Sequence, residues 1–196
     1  MNSTVKQSEI TTKYHLPGDL AIWVFIFAEL LVFGIFFLSY AFSRAGNVEL
    51  FNESQKMLDT ASGAINTLLL ITSSYFVVRS VTAIKSGDAQ RCVNWLAAAI
   101  LGGGGFLVIK VMEFADKFSH GISLGTNTFF MFYLSMTFFH FMHVILGMII
   151  LAAVLIKARN GGYSATEYTG VETGASYWHM VDLVWIVLFP LVYVIR

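Results

Sequence analysis

Cysteine and charge are what this sequence has least of. A single cysteine, Cys92, stands among 196 residues, so no internal disulfide can form and no thiolate partner exists at metal-ligand spacing. Charged residues make up 12% of the chain and the formal net charge is +0, against about 25% charged residues in a soluble domain. No basic surface points to nucleic acid. What fills the chain is apolar: 57% hydrophobic residues, with eighteen Phe and four Trp, fit a lipid-facing protein anchored at the interfaces by aromatic rings. The fold class expected is all-α, an integral membrane five-helix bundle. One domain (17–196) follows a mobile cytoplasmic tail (1–16) that is polar and without periodicity.

Five apolar runs carry the spans, at about 20–42, 63–84, 93–114, 129–156 and 176–195. The first is long enough to cross about 30 Å of hydrocarbon, with Asp19 of Pro17-Gly18-Asp19 as its N-cap. A cleaved signal peptide is the competing reading of that run, but it exceeds a usual signal core and more spans follow. The loop 43–62 has room for a short interfacial helix carrying Leu50, Phe51, Met57 and Leu58. Span two is more polar, as suits a helix facing protein, and span three contains Gly102-Gly103-Gly104-Gly105. That run lacks the Lys-Ser/Thr ending of a phosphate loop, so it reads as a place for close helix approach. Lys6, Lys13, Lys85, Arg91, Lys157 and Arg159 fall on one side, against Arg44, Lys56, Lys117 and Arg196 on the other. The bias puts the N-terminus in the cytoplasm and the C-terminus outside.

Ionisable groups inside such runs are costly unless they face protein or water. Glu29 lies nine residues into span one, about 14 Å along a helix. It should be protonated, hydrogen-bonded or both, and it reads as a proton-exchanging or lipid-contacting carboxyl, or as a neutral, hydrogen-bonded residue that pins packing. His140 and His143, and likewise His179 and Asp182, are three apart and project from one face of their helices. Helix–helix hydrogen bonding explains these histidines more simply than a metal, because no segment offers a full ligand set. Lys110 and Glu113 sit near the end of span three, where they can pair or snorkel. Tyr177, Trp178 and Tyr193 read as interfacial belt residues, with Trp178 and Trp185 close to the His179–Asp182 stripe. A transporter using Glu29, His140 and Asp182 as a relay would call for internal repeats or broken helices; no repeat is visible, and the glycine run is the one candidate break.

Four stretches resemble subunit III of the haem-copper oxidases. They are Trp23–Phe33 with its glutamate, Glu113-Phe114 before a short loop and Thr128-Phe129-Phe130, His140–Gly147 with its two histidines, and the closing Glu172–Trp185. Their order and spacing make the resemblance specific, from about residue 17 onward. It implies a non-catalytic subunit docked on the haem- and copper-bearing subunit I, without a redox cofactor or metal of its own. It also implies bound phospholipid, support of proton uptake and durable turnover, and Glu29 as the family's carbodiimide-reactive carboxyl. Trp23, Lys110, Glu113, Trp178 and Trp185 would be structural or lipid-contacting residues. The long form of the family has seven helices and a lipid cleft; five match the quinol-oxidase form and the accessory proteins of nitric oxide reductase. A bacterial inner membrane is the expected location. The electron donor and the gas reduced are properties of subunit I.

Overall fold

The computed structural model describes residues 17–195; the expected tail over 1–16 lies outside them. Six helices follow one another: α1 (Leu20–Ala45), α2 (Val48–Gln55), α3 (Thr60–Lys85), α4 (Ala89–Ser119), α5 (Thr128–Arg159) and α6 (Thr169–Phe189), which continues into a π-helical turn, Pro190–Val194. No strand occurs among the described residues. Among the described residues five helices are long and apolar enough to cross a membrane, the last counted as Thr169–Val194. Several outrun the apolar stretches of the sequence: α4 and α5, at 31 and 32 residues, reach about 46–48 Å against a hydrocarbon core of about 30 Å. Tilt or projection of the ends into the headgroup region must take up that surplus.

Local chemistry fixes the helix starts. Asp19 accepts from the Ala21 amide, Asp59 from Ala61 and Asp88 from Arg91, so three of the five long helices carry an aspartate cap. α3 and α4 form a tight antiparallel hairpin through Ser86-Gly87-Asp88, where Gly87 takes φ +81°. α6 begins at Thr169, seven residues before the expected 176. The surplus is polar and is held in register by Glu172. The loop does hold a short helix, α2, but it ends before Met57; Phe51 is buried and Gln55 donates to the Val192 carbonyl at 2.8 Å.

α3, α4, α5 and α6 close a bundle, and α1 lies outside it against α5 and α6. α1 buries only the stripe Ile26, Phe33 and Tyr40, every seventh residue, which is one narrow seam. Its remaining surface (Val24, Phe27, Leu31, Leu38) is exposed and is the apolar face that lipid requires. Inside the bundle the polarity is inverted: Asn66, Ser73, Ser80, Lys110, Thr137 and His140 are fully buried. Hydrocarbon cannot satisfy such groups, so they turn inward toward protein.

The glycine run works as steric space. A Cβ on Gly102 would sit 3.0 Å from Ser73 Cβ, and one on Gly103 would sit 2.6 Å from the Trp178 ring. On α5, Gly147 faces the same indole at 2.8 Å. Gly103 and Gly147 thus form the two walls of a slot for Trp178, which is fully buried.

The cap of α3 carries a pH dependence of known sign. The Ser62 hydroxyl donates to the Asp59 carboxylate, and that bond holds the carboxyl below its usual 3.8. The stabilisation is present above the ordinary aspartate range and is lost as pH falls through the depressed value. Asp59→Ala should therefore cost about 0.5–2 kcal/mol at neutral pH. In thermal melts the gap to the parent chain should narrow as pH falls below the ordinary aspartate value of 3.8; a gap that stays constant through acid pH would refute the charged cap.

Candidate functional site

Glu29 is half-buried on the same face of α1 as the buried stripe, three residues after Ile26 and four before Phe33. Its Oε2 lies 2.9 Å from His143 Nε2 on α5. The other ring nitrogen, Nδ1, lies 2.8 Å from the Phe139 carbonyl, and a carbonyl only accepts, so Nδ1 carries a proton. Nε2 then either accepts a proton from a neutral Glu29 or donates one to its carboxylate. A single proton shared across this contact interconverts the two. Phe33 and Phe139 flank the imidazole at 5.4 and 4.5 Å between centroids, and the Tyr177 hydroxyl donates to the His143 carbonyl. Both partners keep slight access to the bundle surface, with side chains 10% and 18% exposed.

His140 goes elsewhere. Three helical residues rotate by about 300°, so His140 and His143 diverge by about 60°. At the junction of several helices that is enough to give them different neighbours. His140 is fully buried, stacked on Trp185 at 5.2 Å and edge-on to Phe106 at 5.6 Å. Neither of its nitrogens has a hydrogen-bond partner among the described residues.

On α6, His179 Nδ1 meets the Ser74 hydroxyl of α3 at 2.6 Å. Asp182 is buried one turn deeper, and its Oδ1 has no partner among the described residues. Near the membrane end of α6, Glu172 joins three helices. It pairs with Lys85 of α3 at 2.7 Å and accepts from the Gly18 amide ahead of α1 at 3.2 Å. The Asp19 amide donates to Thr173 Oγ1, and Trp23 Nε1 donates to the Pro17 carbonyl, so the closing motif anchors the start of α1.

Lys110 and Glu113 do not snorkel. Lys110 Nζ is fully buried and donates to Glu113 Oε2 at 3.0 Å and to the Tyr193 hydroxyl at 2.6 Å. Tyr133 and Tyr193 each donate to Glu113 Oε1 at 2.6 Å. The Lys110 ammonium also stands 4.9 Å from the Trp185 ring centre. The cause is length: α4 runs nine residues past Lys110 to Ser119, placing the ammonium about 14 Å inside the helix end. Tyr193 reaches it through the π-helical turn. Pro190 has no amide proton for the preceding turn, and the widened turn closes with Ile195 donating to the Pro190 carbonyl at 2.9 Å.

Tyr177, Trp178 and Tyr193 are not belt residues: all three are buried between helices. Ser74, Tyr133 and the Glu172–Lys85 pair escape a reading by residue type. The stripe Tyr133–Thr137–His140 at helical spacing was the available signal for the second of these. No three His, Cys, Asp or Glu side chains among the described residues converge as a metal site. The polar groups form four separate sets: Glu29–His143, His140 among aromatics, Ser74–His179 with Asp182, and Lys110–Glu113 with its tyrosines.

Comparison with known proteins bears on this arrangement. The model of the family described as cytochrome c oxidase subunit III matches residues 8–195. Cytochrome c oxidase subunit 3 of Thermostichus vulcanus is 34% identical over 177 residues, covering 90% of this chain and 86% of that one. Quinol oxidase subunit 3 of Bacillus spizizenii is 29% identical, covering 89% of this chain and 85% of its own length. A haem-copper oxidase subunit I+III of Aeropyrum pernix is 28% identical over 89% of this chain, which corresponds to 22% of that longer protein. A match to the family model over nearly the whole length places this multi-pass membrane protein: it belongs to the cytochrome c oxidase subunit III family.

Proposed function

We propose that the chain is the non-catalytic third subunit of a bacterial terminal oxidase. It docks on a subunit I that carries the haem and copper, and it has its N-terminus in the cytoplasm. The observation that carries this reading is the Glu29–His143 contact, a proton-sharing pair at mid-span on the edge of the bundle. Carboxylic acid and imidazole together can hold a proton near an entry site without any redox centre. The subunit I+III fusion of Aeropyrum pernix supports subunit I as the partner. The relatives reported above are named for cytochrome c and for quinol oxidases, so either donor is compatible with this chain. Phospholipid would fill the apolar surface of α1 and the bundle.

In this role Glu29 supplies a proton-exchanging group and His143 orients it. Removing the chain from the purified complex should leave the initial turnover largely intact and shorten the inactivation half-life, most strongly at high pH. Glu29→Gln keeps the size and much of the hydrogen bonding but abolishes proton exchange, and should reproduce the high-pH loss alone. Complete and immediate loss of activity in a complex that retains all its metal would make the chain catalytic and overturn this reading.

A further inference from the structure

A cleft of about 330 Å³ opens between α3, α6 and the approach to α1, lined among others by Thr82, Lys85, Glu172, Ser176 and His179. Its lining carries the Lys85–Glu172 ion pair and, two turns further along α6, the His179 imidazole. Behind that ring the Ser74 hydroxyl contacts His179 Nδ1 at 2.6 Å, and Asp182 lies three residues on along the same face of α6. Asp182 is only 9% exposed, and its Oδ1 is left without a partner. A buried carboxyl oxygen without a donor is costly in a membrane interior unless the group carries a proton.

We propose that this cleft is a proton inlet serving Asp182, separate from the Glu29–His143 pair and independent of which complex the chain joins. The transfer balances without a co-reactant. A cleft water gives a proton to His179 Nε2, Nδ1–H passes its proton to the Ser74 oxygen, and the Ser74 side chain, rotating from His179 toward Asp182, gives its own hydroxyl proton to the carboxylate. The reverse sequence returns one proton to water. Beyond Asp182 the route is closed by Trp185, fully buried, whose Nε1 is spent on Thr67 at 3.0 Å. The site is therefore an exchange well, not a channel.

The charged and titratable groups of the neighbouring helices are engaged elsewhere. Lys85 pairs with Glu172, Glu29 with His143 and Lys110 with Glu113. Arg79 lies over Trp95 and Tyr75, and His140 is enclosed by Trp185 and Phe106. Among the described residues no ion pair competes for Asp182.

The test is infrared spectroscopy of the intact complex in liposomes. Spectra at high minus low pH should show a carboxyl carbonyl band that persists in Glu29→Gln and disappears in Asp182→Asn. After a jump into D₂O, the band should shift quickly in the parent complex and on the order of 10²-fold more slowly in Ser74→Ala, where the relay hydroxyl is missing. The serine variant keeps Asp182 in place, so the exchange rate decides even if Asp182→Asn fails to assemble. Equal exchange rates in the parent and Ser74→Ala, or a band unchanged in Asp182→Asn, would overturn the inlet. Failure of the terminal-oxidase reading would show instead as loss of the complex's turnover pattern, with these bands untouched.

Discussion

Lys110→Met should cost the folded chain about 3–5 kcal/mol, because it removes one half of a buried ion pair and leaves the other half in place. The ammonium is fully enclosed and the Glu113 side chain is 5% exposed. The Glu113 carboxylate is held by three donors, the Tyr133 and Tyr193 hydroxyls at 2.6 Å each and the lysine at 3.0 Å. Methionine matches the lysine stem but offers no charge, so two phenols alone must hold the carboxylate in a medium that penalises it. Against a typical net stability of about 5–15 kcal/mol, that loss should appear as poor yield and a markedly lower melting point in detergent. The double variant Lys110→Met/Glu113→Gln removes both charges and keeps an acceptor for the tyrosines. It should regain most of the loss, since replacing a whole buried pair by neutral groups is often close to neutral. A double variant no more stable than Lys110→Met would show that the network holds through shape and not through charge.

Why the sequence revealed the spans but misplaced this network comes down to helix ends. Apolar run length identifies crossings well, and Asp19 is legible as a cap because nothing else there competes for it. Depth is harder to read. α6 starts at Thr169, where the chain is still polar, so Trp178, close to the start of the apolar run, lies nine residues inside the helix. Lys110 likewise looked terminal only because Glu113, Asp116 and Lys117 end the apolar run; α4 itself continues to Ser119. By run length Trp178 therefore reads as interfacial and Lys110 as able to pair or snorkel near an end; Lys110 does pair with Glu113, but both residues are interior. Contacts between distant segments were invisible for a different reason. Tyr193 meets Lys110 across 83 positions, and the π-helical turn that delivers it has no pattern of its own beyond Pro190. The Glu29–His143 pair was legible to the extent that mid-span polar groups on different helices seek each other. Which histidine would do so was not, since the 60° between them decides the partner.

Two glycines on adjacent helices should respond to alanine in opposite directions. In a helix with open space, Gly→Ala gains about 0.8–1.0 kcal/mol of helix propensity. Gly104 is such a position: a Cβ there would meet only Met148 Cε, at 4.0 Å. Gly104→Ala should raise the melting point slightly. Gly147 is the opposite case. Its Cβ would lie 2.8 and 3.0 Å from Trp178 ring carbons and 3.2 Å from the Tyr177 ring. Both rings are fully buried, so neither has room to retreat. Overpacking of that kind costs about 1–3 kcal/mol, more than the propensity gain, and Gly147→Leu should exceed that range and block folding. Because the Trp178 ring also fills the Gly103 wall, where a Cβ would come within 2.6 Å, the indole cannot escape toward α4. Trimming it should therefore rescue: Gly147→Ala/Trp178→Phe should melt above Gly147→Ala, although Trp178→Phe alone lowers stability by opening a void. Thermal melts of the four variants in one detergent decide it. If Gly147→Ala stabilises as Gly104→Ala does, or if the tryptophan substitution adds its full cost on top of the alanine, the slot is not the close-packed contact that holds α5 and α6 together.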